Sequence, residues 1–411
     1  MDLGKVELRP LRVAIFSGNY NAVMDGPARA LNLLVGFLES QGVETRVYSP
    51  TVRTPAFEPA GTLVPVPSLA IPGRREYRLG LGLPKAVRDD LAAFRPSLVH
   101  LSVPDLTGHA ALAWARSRDI PVVASCHTRF DSYLRYYGLG ALRPLVTRIM
   151  VSFYNRCDLV LTPSPGMKDE LRDRGVRKGM RLWSRGVDHQ RFSPKHRDPS
   201  WRQAHDIREP EVLIAYAGRM VMEKELGLLV RTLKTLRAHC VPHHCLMVGE
   251  GPARAALEKK MPGAIFTGHL SGPDLARAYA SSDIFFNPSQ SETFGNTTLE
   301  AMASGVPALC ADAPGSRSLV VHGKTGFLAK PGDEADFVHW LTKLAKSPIM
   351  RRRFGRQALE RSTAFQWDVI LASVLENYYD VLGQNPLVFE AAANMHIPFE
   401  QDEQAVWGQA S

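Results

Sequence analysis

No Asp-x-Asp pair occurs anywhere in the 411 residues, so the two-carboxylate bridge that holds a divalent cation on a nucleotide diphosphate has no ready source. The first apolar run ends in Ser17-Gly-Asn-Tyr-Asn. It therefore lacks the Gly-x-Gly-x-x-Gly fingerprint of a Rossmann oxidoreductase or nucleotide-sugar epimerase. No apolar stretch approaches the roughly 20 residues that span a bilayer. The opening Met1-Asp-Leu-Gly-Lys-Val-Glu has neither the basic nor the apolar region of a signal peptide, and a cytoplasmic chain is expected. Cysteine is scarce and odd in number, with five residues at 126, 157, 240, 245 and 310. Most lie in apolar runs, where Cys behaves as a small buried hydrophobe, so a disulfide framework is not expected. Cys240-Val-Pro-His-His-Cys245 has no second pair to complete a zinc tetrahedron. Internal repeats and low-complexity tracts are absent.

What is present reads as an ordinary globular protein too long for one core, and two α/β domains are expected. Its charge is one-sided. Residues 1–190 hold 26 basic and 17 acidic side chains, whereas residues 191–411 hold 24 of each, so the whole net charge of +9 belongs to the first half. Such a half suits a polyanionic partner, either an anionic membrane surface or a nucleic acid. Its Arg residues are interleaved with Tyr, Leu and Phe in residues 129–154 and in Arg74-Arg-Glu-Tyr-Arg78. That mixture favours a membrane interface, and no nucleic-acid recognition module is legible.

Short aliphatic runs alternate with stretches of helical period, the pattern of parallel sheets with helices on their faces. Strands are expected at Arg12-Val-Ala-Ile-Phe, Thr45-Arg-Val-Tyr, Ser97-Leu-Val-His-Leu, Pro121-Val-Val-Ala-Ser, Leu159-Val-Leu-Thr and Arg181-Leu-Trp. A second set starts at Val212-Leu-Ile-Ala-Tyr-Ala and continues through His244-Cys-Leu-Met-Val, Ala264-Ile-Phe-Thr, Ile284-Phe-Phe-Asn and Val306-Pro-Ala-Leu-Cys. The Pro-rich, charged segment after Asp188 reads as a linker. The expectation is a Rossmann-like, doubly wound domain over residues 1–190, a second over 191–381, and a tail over 382–411, with the two sheets facing across a cleft. Ligands gather at the carboxyl ends of such strands.

Four strand ends carry chemistry. Asn287-Pro-Ser-Gln-Ser-Glu292-Thr-Phe294-Gly295-Asn296-Thr297-Thr-Leu-Glu300 runs from a strand into a helix. Gly295, Asn296 and Thr297 place unpaired N–H groups at the helix start, a site for a diphosphate or for sugar hydroxyls. Seven residues separate Glu292 from Glu300, and carboxylates accept hydrogen bonds from vicinal hydroxyls. Gly218-Arg219-Met-Val-Met-Glu-Lys224 places two cations after another strand, where they could neutralise charge growing on a leaving group. His127 follows a third strand with Asp131 close behind, and Gly26 opens the first helix. Taken singly, each has a plain structural reading: surface charge at a helix start, or a histidine hydrogen-bonded in a core.

Together they resemble the family-4 retaining glycosyltransferases of GT-B fold, with Glu292 and Glu300 matching the Glu-seven-residue-Glu motif. The likeness extends over roughly residues 11–380. It implies a nucleotide sugar bound mainly on the second domain, with Glu292 at the donor sugar and Glu300 at the ribose. Arg219 and Lys224 would neutralise the diphosphate, His127 would touch the donor sugar, and Asp131 is a weak candidate. Gly218, Phe294, Gly295, Asn296 and Thr297 would line the donor site, as would Leu270 in Phe266-Thr-Gly-His-Leu270 beside the nucleobase. Gly26 would lie in the loop near the phosphate and acceptor, although Pro27 replaces the second glycine common in relatives. Val248-Gly-Glu-Gly-Pro252 is read mainly as packing geometry.

His127-Thr before a Tyr-rich stretch, with Arg181-Leu-Trp-Ser-Arg-Gly-Val-Asp188, is similar to a particular branch. That branch contains sulfoquinovosyl- and glucuronosyl-diacylglycerol synthases and GDP-mannose-dependent α-mannosyltransferases. It implies a UDP- or GDP-sugar donor, a lipid acceptor such as diacylglycerol, and residence on the inner face of the cell membrane. No cofactor and no metal are expected, and turnover should need no added cation. A mannosyltransferase of a lipid or polysaccharide is the alternative enzyme; a catalytically silent sugar- or membrane-binding module is the non-enzyme reading.

Overall fold

A computed structural model describes residues 10–384 apart from residues 24, 72–73, 128–137 and 139, and the side chains of residues 74–76 also lie outside it. Asp131, the first part of the Arg- and Tyr-rich stretch, and most of the expected tail therefore fall outside the described residues.

The first sheet is parallel throughout, in the order β3-β2-β1-β6-β7-β8-β9. Its strands are β1 (Arg12–Phe16), β2 (Glu44–Ser49), β3 (Thr62–Pro65), β6 (Leu98–Leu101), β7 (Val122–Ser125), β8 (Leu159–Thr162) and β9 (Gly179–Leu182). An antiparallel pair, β4 (Ser68–Ile71) and β5 (Arg74–Gly80), stands apart from it. The second sheet, also parallel, runs β12-β11-β10-β13-β14-β15. It comprises β10 (Leu213–Ala217), β11 (His244–Val248), β12 (Ile265–Gly268), β13 (Ile284–Asn287), β14 (Ala308–Ala311) and β15 (Gly326–Ala329). Sequence pattern missed β3, the β4–β5 pair and β15. Residues 62–80 are interrupted by Pro65, Pro67 and Pro72, which blunt the strand signal.

Helices cover both faces: α1 (Gly26–Ser40), α2 (Lys85–Phe94), α3 (Leu106–Arg116), α4 (Arg143–Asn155) and α5 (Pro165–Asp173) in the first half, then α6 (Pro199–Ala204) and α7 (Leu226–Ala238). There follow α8 (Arg254–Lys260), α9 (Gly272–Ala280), α10 (Asn296–Ala303), α11 (Pro314–Leu319), α12 (Glu334–Lys346), α13 (Pro348–Ser362) and α14 (Trp367–Val381). Successive strand residues point to opposite faces, so one strand feeds two cores. In β1, Val13 and Ile15 join the cluster around α1, whereas Ala14 and Phe16 join the one around α2 and α3. In β10, Ile214 and Tyr216 face one core while Leu213, Ala215 and Ala217 face the other.

One boundary needs correction. The second unit was expected to run from 191 to 381, but Ile370, Leu371, Val374, Leu375 and Tyr378 of α14 are buried among Val13, Ile15, Leu31 and Leu34 of the first. The final helix therefore completes the first core. The chain thus crosses between lobes twice, and the crossings touch where Val187 N–H donates to Phe365 O at 2.9 Å.

Candidate functional site

Strand order decides which loops meet. In the second sheet the order reverses between β10 and β13, and in the first between β1 and β6; an open α/β sheet leaves its crevice at such points. The loop after β10 carries Arg219 and Lys224, the loop after β13 carries Glu292, and the two are neighbours because β10 pairs with β13. Lys224 Nζ donates to Glu292 Oε1 at 2.5 Å, and Asn287 Nδ2 lies 3.4 Å from the same oxygen. Burial pushes the Glu292 carboxyl up, but the adjoining ammonium and its hydrogen bonds outweigh burial and hold it below the usual carboxylate range. Lys224 keeps 26% of its side chain exposed against 13% for Glu292.

The loop bearing Arg219 is fixed by the turn after β11. Met220 N–H donates to Glu250 O at 2.8 Å, and Ala253 N–H donates to Met220 O at 3.0 Å. A Cβ on Gly249, which has φ +129°, would lie 2.1 Å from Gly218 O, so only glycine admits this approach. The expectation that this glycine turn serves packing holds, and what it packs is the cation loop.

Helix α10 begins at Gly295 in the left-handed region (φ +108°) with no side-chain cap. The N–H groups of its first turn are therefore left for a ligand, and the helix dipole favours an anion there. One turn on, Glu300 receives a hydrogen bond from Tyr279 Oη at 3.0 Å and lies 3.7 Å from the Arg29 guanidinium of α1. Burial raises its carboxyl to about 7, against the opposing pull of Arg29 and Tyr279.

The first domain closes over these groups. Arg219 Nη1 donates to Tyr77 Oη at 2.9 Å, and Tyr77 donates to Asp25 Oδ2 at 3.2 Å. Asp25 caps α1 through Ala28 N–H at 2.9 Å. A Cβ on the following Gly26 would lie 2.7 Å from Asn296 Nδ2, so the starts of α1 and α10 abut across the cleft. On the second domain Lys224 is bonded to Glu292, and Asn287 Nδ2 lies near that carboxylate and, at 3.5 Å, near Thr298 Oγ1 of α10. Arg219 is thereby tied to the start of α1, which abuts α10, and Lys224 to Glu292 in the loop that leads into α10.

Three expected residues sit differently. The Phe294 ring is 3% exposed and packs edge-on against Phe365, in the second core; its backbone alone borders the helix start. Leu270 is half-buried against that same core. His127 lies at the cleft wall, where its carbonyl accepts from Thr293 Oγ1 at 3.0 Å, but both ring nitrogens are engaged. Arg185 Nη2 meets Nδ1 at 2.7 Å and Ser125 Oγ meets Nε2 at 2.8 Å. A guanidinium only donates, so Nδ1 is the acceptor and Nε2 carries the proton. The network continues from Ser125 Oγ to His100 Nε2 at 2.8 Å and from His100 Nδ1 to Tyr378 Oη of α14 at 2.5 Å. Burial first, then the Arg185 charge, holds the His127 imidazole well below its ordinary value, hence neutral. Sequence reading missed Asp25, Arg29, Tyr77, Arg185 and Tyr279. Only Asp25 carried a local signal, the cap-like Asp-Gly-Pro that opens α1.

Two doubly wound lobes facing across a cleft, with cations and a bare helix start between them, define a GT-B glycosyltransferase. The chain belongs to the family-4 glycosyltransferases: residues 24–191 match the model of Glycosyltransferase Family 4 and residues 197–361 that of the glycosyl transferases group 1. It is 31% identical to the sulfoquinovosyl transferase SQD2 of Arabidopsis thaliana, over 90% of this chain and 74% of that one. Identity to a GDP-mannose-dependent α-mannosyltransferase of Mycolicibacterium smegmatis is 32%, over 92% and 99% of the two chains. An α-monoglucosyldiacylglycerol synthase of Acholeplasma laidlawii is 23% identical over 91% and 98%. In fold, the sucrose-phosphate synthase of Thermosynechococcus elongatus superposes with a TM-score of 0.75 at 19% identity, over 91% of this chain and 99% of that one.

Proposed function

We propose that this glycosyltransferase moves a hexosyl group from a UDP- or GDP-linked donor to a membrane lipid such as diacylglycerol, with retention of the anomeric configuration and without a metal. The observation that supports this reading is that the loops after β10 and β13, which carry Arg219, Lys224 and Glu292, are neighbours and that the second of them leads into the uncapped start of α10. Together they supply two positive charges and several N–H donors where a pyrophosphate would lie, the task a divalent cation performs elsewhere. Glu300 accepts the ribose hydroxyls, and Glu292, held ionised by Lys224, accepts hydroxyls of the sugar.

Double displacement would need a carboxylate nucleophile opposite the leaving group. Glu292 is committed to Lys224, so we favour reaction on one face. The anomeric carbon–phosphate oxygen bond breaks, the acceptor oxygen bonds to the same face, and its proton passes to the departing phosphate oxygen. His127 shapes the cleft wall through its fixed, neutral ring and its carbonyl.

A lipid acceptor is supported by the named activity of the Acholeplasma relative and by α4. Leu142, Leu145 and Ile149, spaced to share one helix face, are 47%, 55% and 44% exposed beside the exposed Arg143 and Arg148. Among the described residues no helix is long and apolar enough to cross a membrane. We place the protein peripherally, on the inner membrane face. Of the Arg residues in β5, Arg78 is turned back onto Ser68 Oγ at 2.7 Å; docking is better carried by α4. The test is a screen of UDP- and GDP-sugars against diacylglycerol vesicles in chelator, with mass detection of product and NMR of its anomeric centre. An α-glycolipid made with chelator present is expected. Activity only with added metal, an inverted product, a sugar adduct on the protein, or no transfer overturns the reading.

A further inference from the structure

Tyr77 reads in the sequence only as part of the basic–aromatic segment 74–78, yet it stands where the two lobes meet. It lies on β5, outside the main sheet, and it crosses the cleft to the loop that holds Arg219. Its phenol oxygen accepts from Arg219 Nη1 at 2.9 Å while its proton goes to Asp25 Oδ2 at 3.2 Å, and Asn19 Nδ2 donates to that same carboxylate oxygen at 3.1 Å. The guanidinium carbon also stands 5.5 Å from the centre of the Tyr77 ring. Asp25 is in turn fixed by the α1 N–H group it caps. Burial raises its carboxyl, against its hydrogen bonds and the Arg219 charge.

We propose that Tyr77, anchored by Asp25, is a positioning residue that holds Arg219 from the opposite domain in the orientation that meets the pyrophosphate of the transition state. A long arginine side chain loses rotamer freedom when it is held in place. A group that holds one guanidinium nitrogen in advance lowers that cost at the moment of reaction. The hold comes from the acceptor-side lobe, so it exists only while the cleft is closed. Arg219 is therefore set for the leaving group when the starts of α1 and α10 abut, and hydrolysis of the donor in an open cleft is disfavoured.

The inference rests on the nucleotide-sugar reading, and its test separates the two. Tyr77→Phe removes the hydroxyl and keeps the ring; Asp25→Asn keeps an N-cap for α1 but weakens the anchor. With the donor that the wild type uses, Tyr77→Phe is expected to lower kcat for transfer about tenfold, with donor KM within about twofold and an unchanged melting temperature. Asp25→Asn should lower kcat similarly, and the double variant should be no worse than either single one, because both break one chain. Tyr77→Phe with kcat within twofold of wild type, or losses that multiply in the double variant, overturns the proposal. A change confined to melting temperature does so too, since a purely structural tyrosine would show only that. A wild type that transfers from no nucleotide sugar overturns both readings; an active wild type with an undiminished Tyr77→Phe overturns this one alone.

Discussion

Replacing Lys224 by Met separates two things that the ammonium does. The substitution keeps most of the apolar stem and removes the charge that lies 2.5 Å from Glu292 Oε1. Glu292 is then left 13% exposed without that partner. Breaking a buried pair from one side costs about 3–5 kcal/mol, and the 26% exposure of Lys224 puts this pair near the lower end, about 3 kcal/mol. For a domain of this size that lowers the melting temperature by roughly 6–12 °C. Adding Glu292→Gln removes the stranded charge, so the double variant should recover most of the lost stability. Turnover behaves differently, because a cation aimed at the leaving pyrophosphate is worth about 10²–10³ in kcat, and both variants lose it. Differential scanning fluorimetry and a product-detection assay with the wild-type donor read the two effects. Lys224→Met with turnover within fivefold of wild type, or a double variant as unstable as the single one, refutes the assignment of Lys224 to both roles.

Two further outcomes follow from the same geometry. Glu300, with its carboxyl at about 7, is mostly protonated at pH 6 and ionised at pH 8. Only the ionised form accepts both ribose hydroxyls, so the donor Kd should fall about tenfold over that range. Calorimetry with a nucleotide sugar checks this, and Glu300→Gln should flatten the profile; an unchanged slope in that variant removes Glu300 from the ribose. On α4, Leu145→Asp with Ile149→Asp removes two half-exposed apolar side chains worth about 1 kcal/mol each at an interface, so binding to phosphatidylglycerol vesicles should weaken roughly 30-fold. Sedimentation with vesicles measures it, and transfer to a short-chain soluble acceptor should persist. Undiminished vesicle binding would remove α4 from the membrane interface.

The alternation of aliphatic runs with helical stretches was enough to read two parallel sheets, since a strand covered on both faces has to be apolar along its length. Residues whose chemistry follows their own neighbours in the chain were legible as well: the glycine before α10, the two glutamates beyond the strand Ile284-Phe-Phe-Asn, and the cations after Gly218. Contacts between residues far apart in the chain were not. Tyr77 lies 142 residues from Arg219 and Tyr378 lies 278 from His100, and no local period records such a meeting. Only the tertiary structure decided that α14 completes the first core, that Arg29 faces Glu300, and that Arg185 fixes the proton on His127. Hydrophobic spacing specifies what each segment buries; which polar groups then stand within 3 Å of one another is set by how the buried faces stack.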